Sequence, residues 1–97
     1  MPTPFPDLLR EAMTRTDRTT AALSAEMSTL IQRRRPSAIT TCTPETIRRW
    51  LRGEAVPART NRPALASLLG LSLDEVMRAA DAQQDQIRIA RESWGRP

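Results

Sequence analysis

Residues 43–53 read Thr43-Pro-Glu-Thr-Ile-Arg-Arg-Trp-Leu-Arg-Gly53. A threonine caps the N-terminus of a helix well, and a proline at the first helical position already has the backbone angle that a helix needs. A glycine just after the last turn ends a helix in the left-handed conformation. The apolar residues Ile47, Trp50 and Leu51 stand at i, i+3 and i+4, which places them on one face. The run therefore predicts a short helix with one apolar face and one arginine-bearing face.

Basic charge concentrates around this predicted helix. The chain has 97 residues, a net charge of +4, and arginine as its only basic residue. Residues 30–62 contain eight arginines and two glutamates, whereas residues 1–29 and residues 63–97 each carry one more acidic than basic side chain. A basic patch on an otherwise neutral small domain indicates a polyanionic partner, and arginine suits bidentate contact with phosphate or guanine. The alternative is a solvated arginine-rich loop.

The composition argues against an enzyme and against a metal or cofactor site. The sequence has no histidine, its only cysteine is Cys42, and its acidic residues show no pairing typical of general acid–base catalysis. We therefore expect no catalytic residue, no metal and no cofactor. We expect Cys42 to fill space in the core rather than to sense redox state. No stretch reads as a signal peptide or a membrane span, so we expect a cytoplasmic protein without membrane contact.

The rest of the chain predicts four more helices and no strand. Apolar residues recur at helical spacing, and no alternating run rich in Val, Ile and aromatic residues is present. The predicted helices run from about Pro6 to Thr16, from about Thr19 to at least Ile31, from about Asn61 to Leu69, and from Leu73 to Trp94, the last either continuous or bent near Asp81. The predicted inward face of the second helix consists of Ala22, Leu23, Met27, Leu30 and Ile31.

Residues 43–53 resemble the recognition helix of the lambda-repressor-like (Cro/C1, or XRE) family. In that family a Ser or Thr cap is followed by a Thr-Ile or Thr-Val pair, an aromatic residue or Leu, and a closing Gly. Those places are filled here by Thr46, Ile47, Trp50 and Gly53. Val56-Pro57 and residues 64–76 resemble the fourth and fifth helices of the family. The resemblance implies an all-α, five-helix, helix-turn-helix DNA-binding domain in residues 1–80, followed by a helical extension in residues 81–97.

The chain departs from the family ahead of this run. Leu23, which matches the core leucine of the family's second helix, lies nineteen residues before Cys42, which matches the apolar position in the turn. The family has a much shorter spacing, so extra residues, among them residues 33–36, lengthen either the second helix or the turn. One interpretation is a surface insertion that leaves DNA binding unchanged. The other is an additional phosphate contact by its three arginines, because exposed arginine beside DNA lies in a strong negative field.

The resemblance also implies roles for individual side chains. Those placed to meet base edges are Pro44, Glu45 and Arg48, since glutamate can accept from the cytosine amine and arginine can pair with guanine. The candidates for phosphate contact are Thr43, Arg49, Arg52, Arg59, Arg62, Arg33, Arg34 and Arg35. In the alternative interpretation, Glu45 and Arg52 only complement the helix dipole. Trp50 follows Ile47 by three residues, which favours a core position over base stacking.

The C-terminal extension carries a weak heptad pattern. Leu73, Ala80, Ile87 and Trp94 recur every seven residues, but Gln83 and Ala90 occupy intervening positions and pack poorly in a coiled coil. The pattern predicts a symmetric homodimer with Ala80, Ile87 and Trp94 at the interface. The alternative is a helix that folds back onto its own domain or frays.

Together these features predict a sequence-specific, double-stranded DNA-binding transcriptional regulator. The family resemblance suggests a Cro/C1-like repressor of bacterial or phage origin, associated with the nucleoid in the cytoplasm. Two alternatives stay open. In the first, the protein is an antitoxin whose C-terminal extension binds a toxin. In the second, it is an interaction module that recruits transcription or replication machinery. We expect double-stranded DNA and a second copy as partners, with a second protein as partner in either alternative.

Overall fold

The computed structural model describes residues 3–34 and 42–94, with side chains described as far as residue 92 at the C-terminal end. It consists of α1 (Phe5–Arg15), α2 (Thr20–Arg34), α3 (Pro44–Leu51), α4 (Arg62–Leu69) and α5 (Leu73–Trp94). A single 3-10 turn, Arg59–Asn61, precedes α4. None of the residues in the two described ranges lies in a β-strand. The prediction of an all-helical chain with five helices is confirmed, and α5 continues past Asp81 as one helix.

Each helix contributes side chains to one core. α3 packs on α1 and α2, α4 packs on α2 and α5, and α1 packs on α5. The largest apolar side chains that are at most 1% exposed are Phe5, Leu9, Leu23, Met27, Ile47, Leu65, Leu69 and Val76. Burial of one such side chain stabilises the folded state by about 1.5–3 kcal/mol relative to exposure. Tertiary burial of these faces, rather than helix propensity, therefore holds the short helices α3 and α4 in place.

The predicted helix faces are correct with one exception. Trp50 is 5% exposed and packs in the core with Ile47, as predicted. On α2, Leu23 and Met27 are buried, but Ala22 is exposed, so its assignment to the inward face is wrong. Ala22 stands one position before Leu23, about 100° around the helix. An alanine side chain is too small to indicate by itself which face a helix buries.

The chemistry of the helix ends follows the sequence closely. The Thr43 hydroxyl accepts from the Thr46 backbone N–H at 3.3 Å, and the Ser72 hydroxyl accepts from that of Glu75 at 3.1 Å. Gly53 ends α3 with a φ of 75°. Its backbone N–H donates to Trp50 O at 3.1 Å, and the next N–H donates to Arg49 O at 3.0 Å. This pair of bonds is the Schellman motif, which needs a left-handed residue at its centre.

α1 ends in the same motif, but its left-handed residue is Asp17 rather than a glycine. Asp17 has a φ of 54°, its N–H donates to Thr14 O at 3.1 Å, and the Arg18 N–H donates to Met13 O at 2.9 Å. A side chain in the left-handed region is strained, although aspartate tolerates it better than most residues.

Asp17→Gly should therefore raise the free energy of unfolding by about 0.5–1 kcal/mol, because glycine adopts this conformation without a Cβ penalty. Urea denaturation followed by circular dichroism measures the change. Gly70→Ala is the matched converse, since Gly70 has a φ of 65° and a Cβ there would meet nothing within 4 Å. Gly70→Ala should lower the free energy of unfolding by a similar amount through backbone strain alone. A stability of Asp17→Gly at or below that of the wild type would contradict this account of the turn.

Candidate nucleic-acid interface

α3 is anchored by one face and presents the other to solvent. Ile47 and Trp50 are buried, while Arg48 and Arg49 are each a little over half exposed. The helix is thus fixed to α1 and α2 by its apolar side, and its charged side chains lie outside. Among the predicted base-contacting residues, Pro44 is half-buried, and Glu45 and Arg48 are exposed. The predicted phosphate contacts Thr43, Arg49 and Arg52 are exposed around the same helix.

The exposed side chains of α3 form a network of ion pairs. Glu45 Oε1 lies 2.8 Å from Arg52 Nη2, and Glu45 Oε2 lies 3.3 Å from Arg48 Nη1. Glu54 Oε1 lies 3.2 Å from Arg52 Nε, and Glu54 Oε2 lies 3.9 Å from Arg49 Nε. The network holds three cations and two anions. Sequence reasoning gave Glu54 no role, although it is one of only two acidic residues in the basic third of the chain.

The ion pair between Glu45 and Arg52 favours the charged form of both side chains. Hydrogen bonds from Arg52 and then Arg48 lower the pKa of Glu45 below its ordinary 4.5. Hydrogen bonds to Glu45 and then Glu54 raise the pKa of Arg52. Both side chains are therefore charged at neutral pH. The hydrogen bond between Glu45 and Arg52 is the largest cause of both pKa shifts. Glu45 therefore does more here than complement the helix dipole.

α2 extends past the point where it contacts the start of α3. α2 extends to Arg34, yet the chain returns to the middle of that helix, where the Ser28 Oγ donates to Cys42 O at 2.8 Å and accepts from the Cys42 N–H at 3.1 Å. The last six residues of α2 thus extend roughly 9 Å beyond the junction with α3. Arg33 and Arg34 are exposed at that end. Arg35 lies outside the described residues.

Ser28→Ala should lower the free energy of unfolding by about 1–2 kcal/mol, because the half-buried Cys42 N–H and carbonyl lose the partner that satisfies both. Denaturant unfolding measures this loss. Thr29→Ala is the control on the same helix, since the exposed Thr29 hydroxyl only donates to Ala25 O within its own turn. Equal stability of the two variants would show that the Ser28 hydroxyl does not fix the start of α3.

Cys42 fills apolar space beside the core, as the sequence predicted. Its side chain is half-buried and packs against the core. Burial raises the pKa of the Cys42 thiol to about 11. The thiol is therefore protonated at neutral pH, where only the thiolate is strongly nucleophilic.

The prediction that Arg62 contacts phosphate is wrong. Arg62 is only 1% exposed. Its Nε donates to Pro57 O at 3.1 Å, its Nη1 donates to Asp81 Oδ1 at 2.8 Å, and its Nη2 donates to Gln84 Oε1 at 3.5 Å. The guanidinium thus joins the start of α4, the preceding loop and α5, and it cannot reach DNA without opening the fold. Arg59 remains exposed, with its Nη2 3.8 Å from Asp81 Oδ2.

The assignment of Ala80 to a dimer interface is also wrong. Ala80 is fully buried in the core of its own chain together with Val76. Gln83 Nε2 donates to Gly53 O at 3.0 Å, which ties α5 to the end of α3. The first half of α5 therefore packs on its own domain. Ile87 is half-exposed further along the helix, and the Trp94 side chain lies outside the described ones.

The structure thus brings six predicted site residues together on α3 and its two caps, namely Thr43, Pro44, Glu45, Arg48, Arg49 and Arg52. Arg34 lines one hollow with Thr60 and Asn61, so the end of α2 lies beside the loop that carries Arg59. Within the described ranges, no three side chains are grouped as a metal site would require. No helix in that part of the chain is both long and apolar enough to cross a membrane. Comparisons of the chain with models of protein families, with curated proteins and with solved structures each found no match.

Proposed function

We propose that this protein is a sequence-specific, double-stranded DNA-binding regulator of transcription with a lambda-repressor-like helix-turn-helix fold. The observation that carries the proposal is the construction of α3. Its apolar side is fixed by Ile47 and Trp50, its N-terminus is capped by Thr43, and three arginines lie exposed along the outside. The major groove of B-DNA admits one α-helix, whose N-terminal residues reach base edges while flanking basic residues hold phosphates.

The exposed residues divide between the two kinds of contact. Pro44 and Glu45 lie in the first turn of α3 and Arg48 lies in its last turn, and all three are proposed to meet bases. Residues proposed to contact phosphates are Thr43, Arg49, Arg52, Arg59, Arg33 and Arg34. Arg34, at the end of α2, lies beside the turn before α4 that carries Arg59. This position supports the interpretation of the inserted residues as a second phosphate contact.

The proposed regulator acts as a homodimer through the second half of α5. The first half is packed on its own domain, whereas residues 84–92 are mostly exposed and include the apolar Ile87 and Ile89. A two-fold dimer reads a palindromic site whose half-sites lie about one DNA turn apart. Ile87 is retained as an interface residue, and Ala80 is not.

Selection of bound duplexes from a random DNA library tests the proposal directly. The expected result is an enriched palindrome with half-sites about ten base pairs apart. An enriched single half-site would keep the DNA-reading function and remove the dimer. Absence of any enriched sequence at low and moderate salt would contradict the proposal. Proteins that co-purify with the chain would then be the next object of study, as the alternatives of an antitoxin or a recruiting module require.

A further inference from the structure

The outward arginines of α3 are already held by carboxylates. Glu45 alone engages two of them, with Arg52 Nη2 at 2.8 Å and Arg48 Nη1 at 3.3 Å. Glu45 stands in the first turn of α3, and Arg52 is the residue that caps its C-terminal end. One glutamate therefore spans the length of the helix and draws both guanidinium groups across its exposed surface.

The same guanidinium groups are those that a phosphate would bind. Exposed ion pairs between carboxylate and arginine are individually weak, because water solvates both partners well. A phosphate that takes up one of these guanidinium groups must first displace the carboxylate. The carboxylate is tethered beside the arginines, whereas the phosphate arrives from solution, so this displacement subtracts from what DNA gains. Nonspecific DNA therefore gains less from Arg48 and Arg52 while Glu45 holds them.

We propose that Glu45 is a specificity-determining residue that lowers the affinity for nonspecific DNA by holding Arg48 and Arg52. This inference rests on the proposed function of α3. A specific site supplies further contacts in the groove, including a hydrogen bond from the cytosine amine to the glutamate carboxylate. Those contacts compensate for opening the two ion pairs, and a nonspecific site lacks them. Glu45 therefore acts mainly against the wrong sequences, which is how many interfaces achieve discrimination.

The test compares Glu45→Gln with Glu11→Gln on a duplex of scrambled sequence. Both substitutions remove one negative charge, but Glu11 lines the groove between α1 and α5 rather than the surface of α3. Fluorescence anisotropy over a salt series gives the affinity and its salt dependence. Glu45→Gln should bind about fivefold more tightly than Glu11→Gln. Its slope of log K against log salt should be steeper by about 1, because the released Arg48 adds a phosphate contact on nonspecific DNA, whereas Arg52 keeps its ion pair with Glu54 at 3.2 Å.

Glu45→Asp distinguishes the effect of the ion pairs from simple repulsion of DNA by the carboxylate charge. Aspartate keeps the charge, but it is one methylene shorter and loses the reach to Arg52 across two turns of helix. The inference predicts that Glu45→Asp also binds the scrambled duplex more tightly than the wild type. If only Glu45→Gln gains affinity, the effect is that of charge and the inference is overturned.

The outcomes also separate this inference from the proposed function. If the wild type and all variants fail to bind duplexes at low salt, the proposed function is wrong. If all of them bind and Glu45→Gln matches Glu11→Gln, only the role of Glu45 is wrong. Thermal melts followed by circular dichroism confirm that each variant is folded, since loss of a first-turn acid weakens α3 slightly.

Discussion

Arg62→Ala should lower the free energy of unfolding by about 3 kcal/mol. Truncation leaves a cavity between α4, α5 and the loop before α4, and it leaves Pro57 O without its donor. It also removes the buried cation that Asp81 faces at 2.8 Å. Arg62 begins α4, where a positive charge is unfavourable to the helix dipole, so Asp81 is needed to compensate for it. Denaturant unfolding followed by circular dichroism measures the loss.

Arg59→Ala is the matched control for this substitution. Arg59 precedes the same helix and faces the same carboxylate, but at 3.8 Å and with its side chain 72% exposed. Its loss should change stability by less than about 0.5 kcal/mol. Equal effects of the two variants would mean that the Arg62 guanidinium has no structural role.

The pH dependence of stability reports the same ion pair independently. The hydrogen bond from Arg62 lowers the pKa of Asp81 below its ordinary 3.8. A carboxylate with a lowered folded-state pKa stabilises the fold above its unfolded-state pKa, and this contribution disappears as the pH falls through the lowered value. The wild type should therefore lose stability below about pH 4. Asp81→Asn should lose the part of this dependence that comes from the pair with Arg62 and keep the part that comes from Glu45, whereas Asp85→Asn, which removes only an exposed pair with Arg88, should keep all of it.

Helix ends could be predicted from the sequence because their chemistry is local. Thr43, Ser72, Gly53 and Gly70 each act on backbone groups within a few residues, so a short window contains both partners of every bond. Asp17 shows the limit of this reasoning. Its left-handed conformation depends on nearby residues, as that of Gly53 does. An aspartate in the sequence does not indicate this conformation, whereas a glycine does.

Contacts between helices could not be predicted in the same way. Arg62 and Asp81 stand nineteen residues apart, on two helices whose crossing no periodicity specifies. The charge count therefore placed Arg62 in the basic surface, and the heptad spacing placed Ala80 at a dimer interface. The contact between Ser28 and Cys42 is hidden for the same reason, because a hydroxyl on a helix gives no sign of its distant partner.

Reversal of two charges on α3 should abolish specific DNA binding. Arg48→Glu combined with Arg49→Glu replaces two attractive contacts by two repulsive ones, and an affinity loss on the order of 100-fold or more is expected. A wild-type slope of log K against log salt near −5, for about six phosphate contacts, should become shallower by about 1–2. Both side chains are exposed, so the variant should stay folded. Arg10→Glu with Arg78→Glu, two exposed positions on α1 and α5 that lie outside both α3 and the proposed dimer interface, reproduces the charge change.

Single alanine substitutions should then separate the two roles within α3. Arg48→Ala is expected to cost about 1–3 kcal/mol at the selected site and to relax the preference at one base position. Arg49→Ala should weaken binding to all sequences about equally, because a phosphate contact carries no base information. Binding selections repeated with each variant measure both effects. A loss of sequence preference in Arg49→Ala but not in Arg48→Ala would mean that α3 lies in the groove in another orientation. A wild-type slope near zero would mean that the arginines serve a protein partner instead.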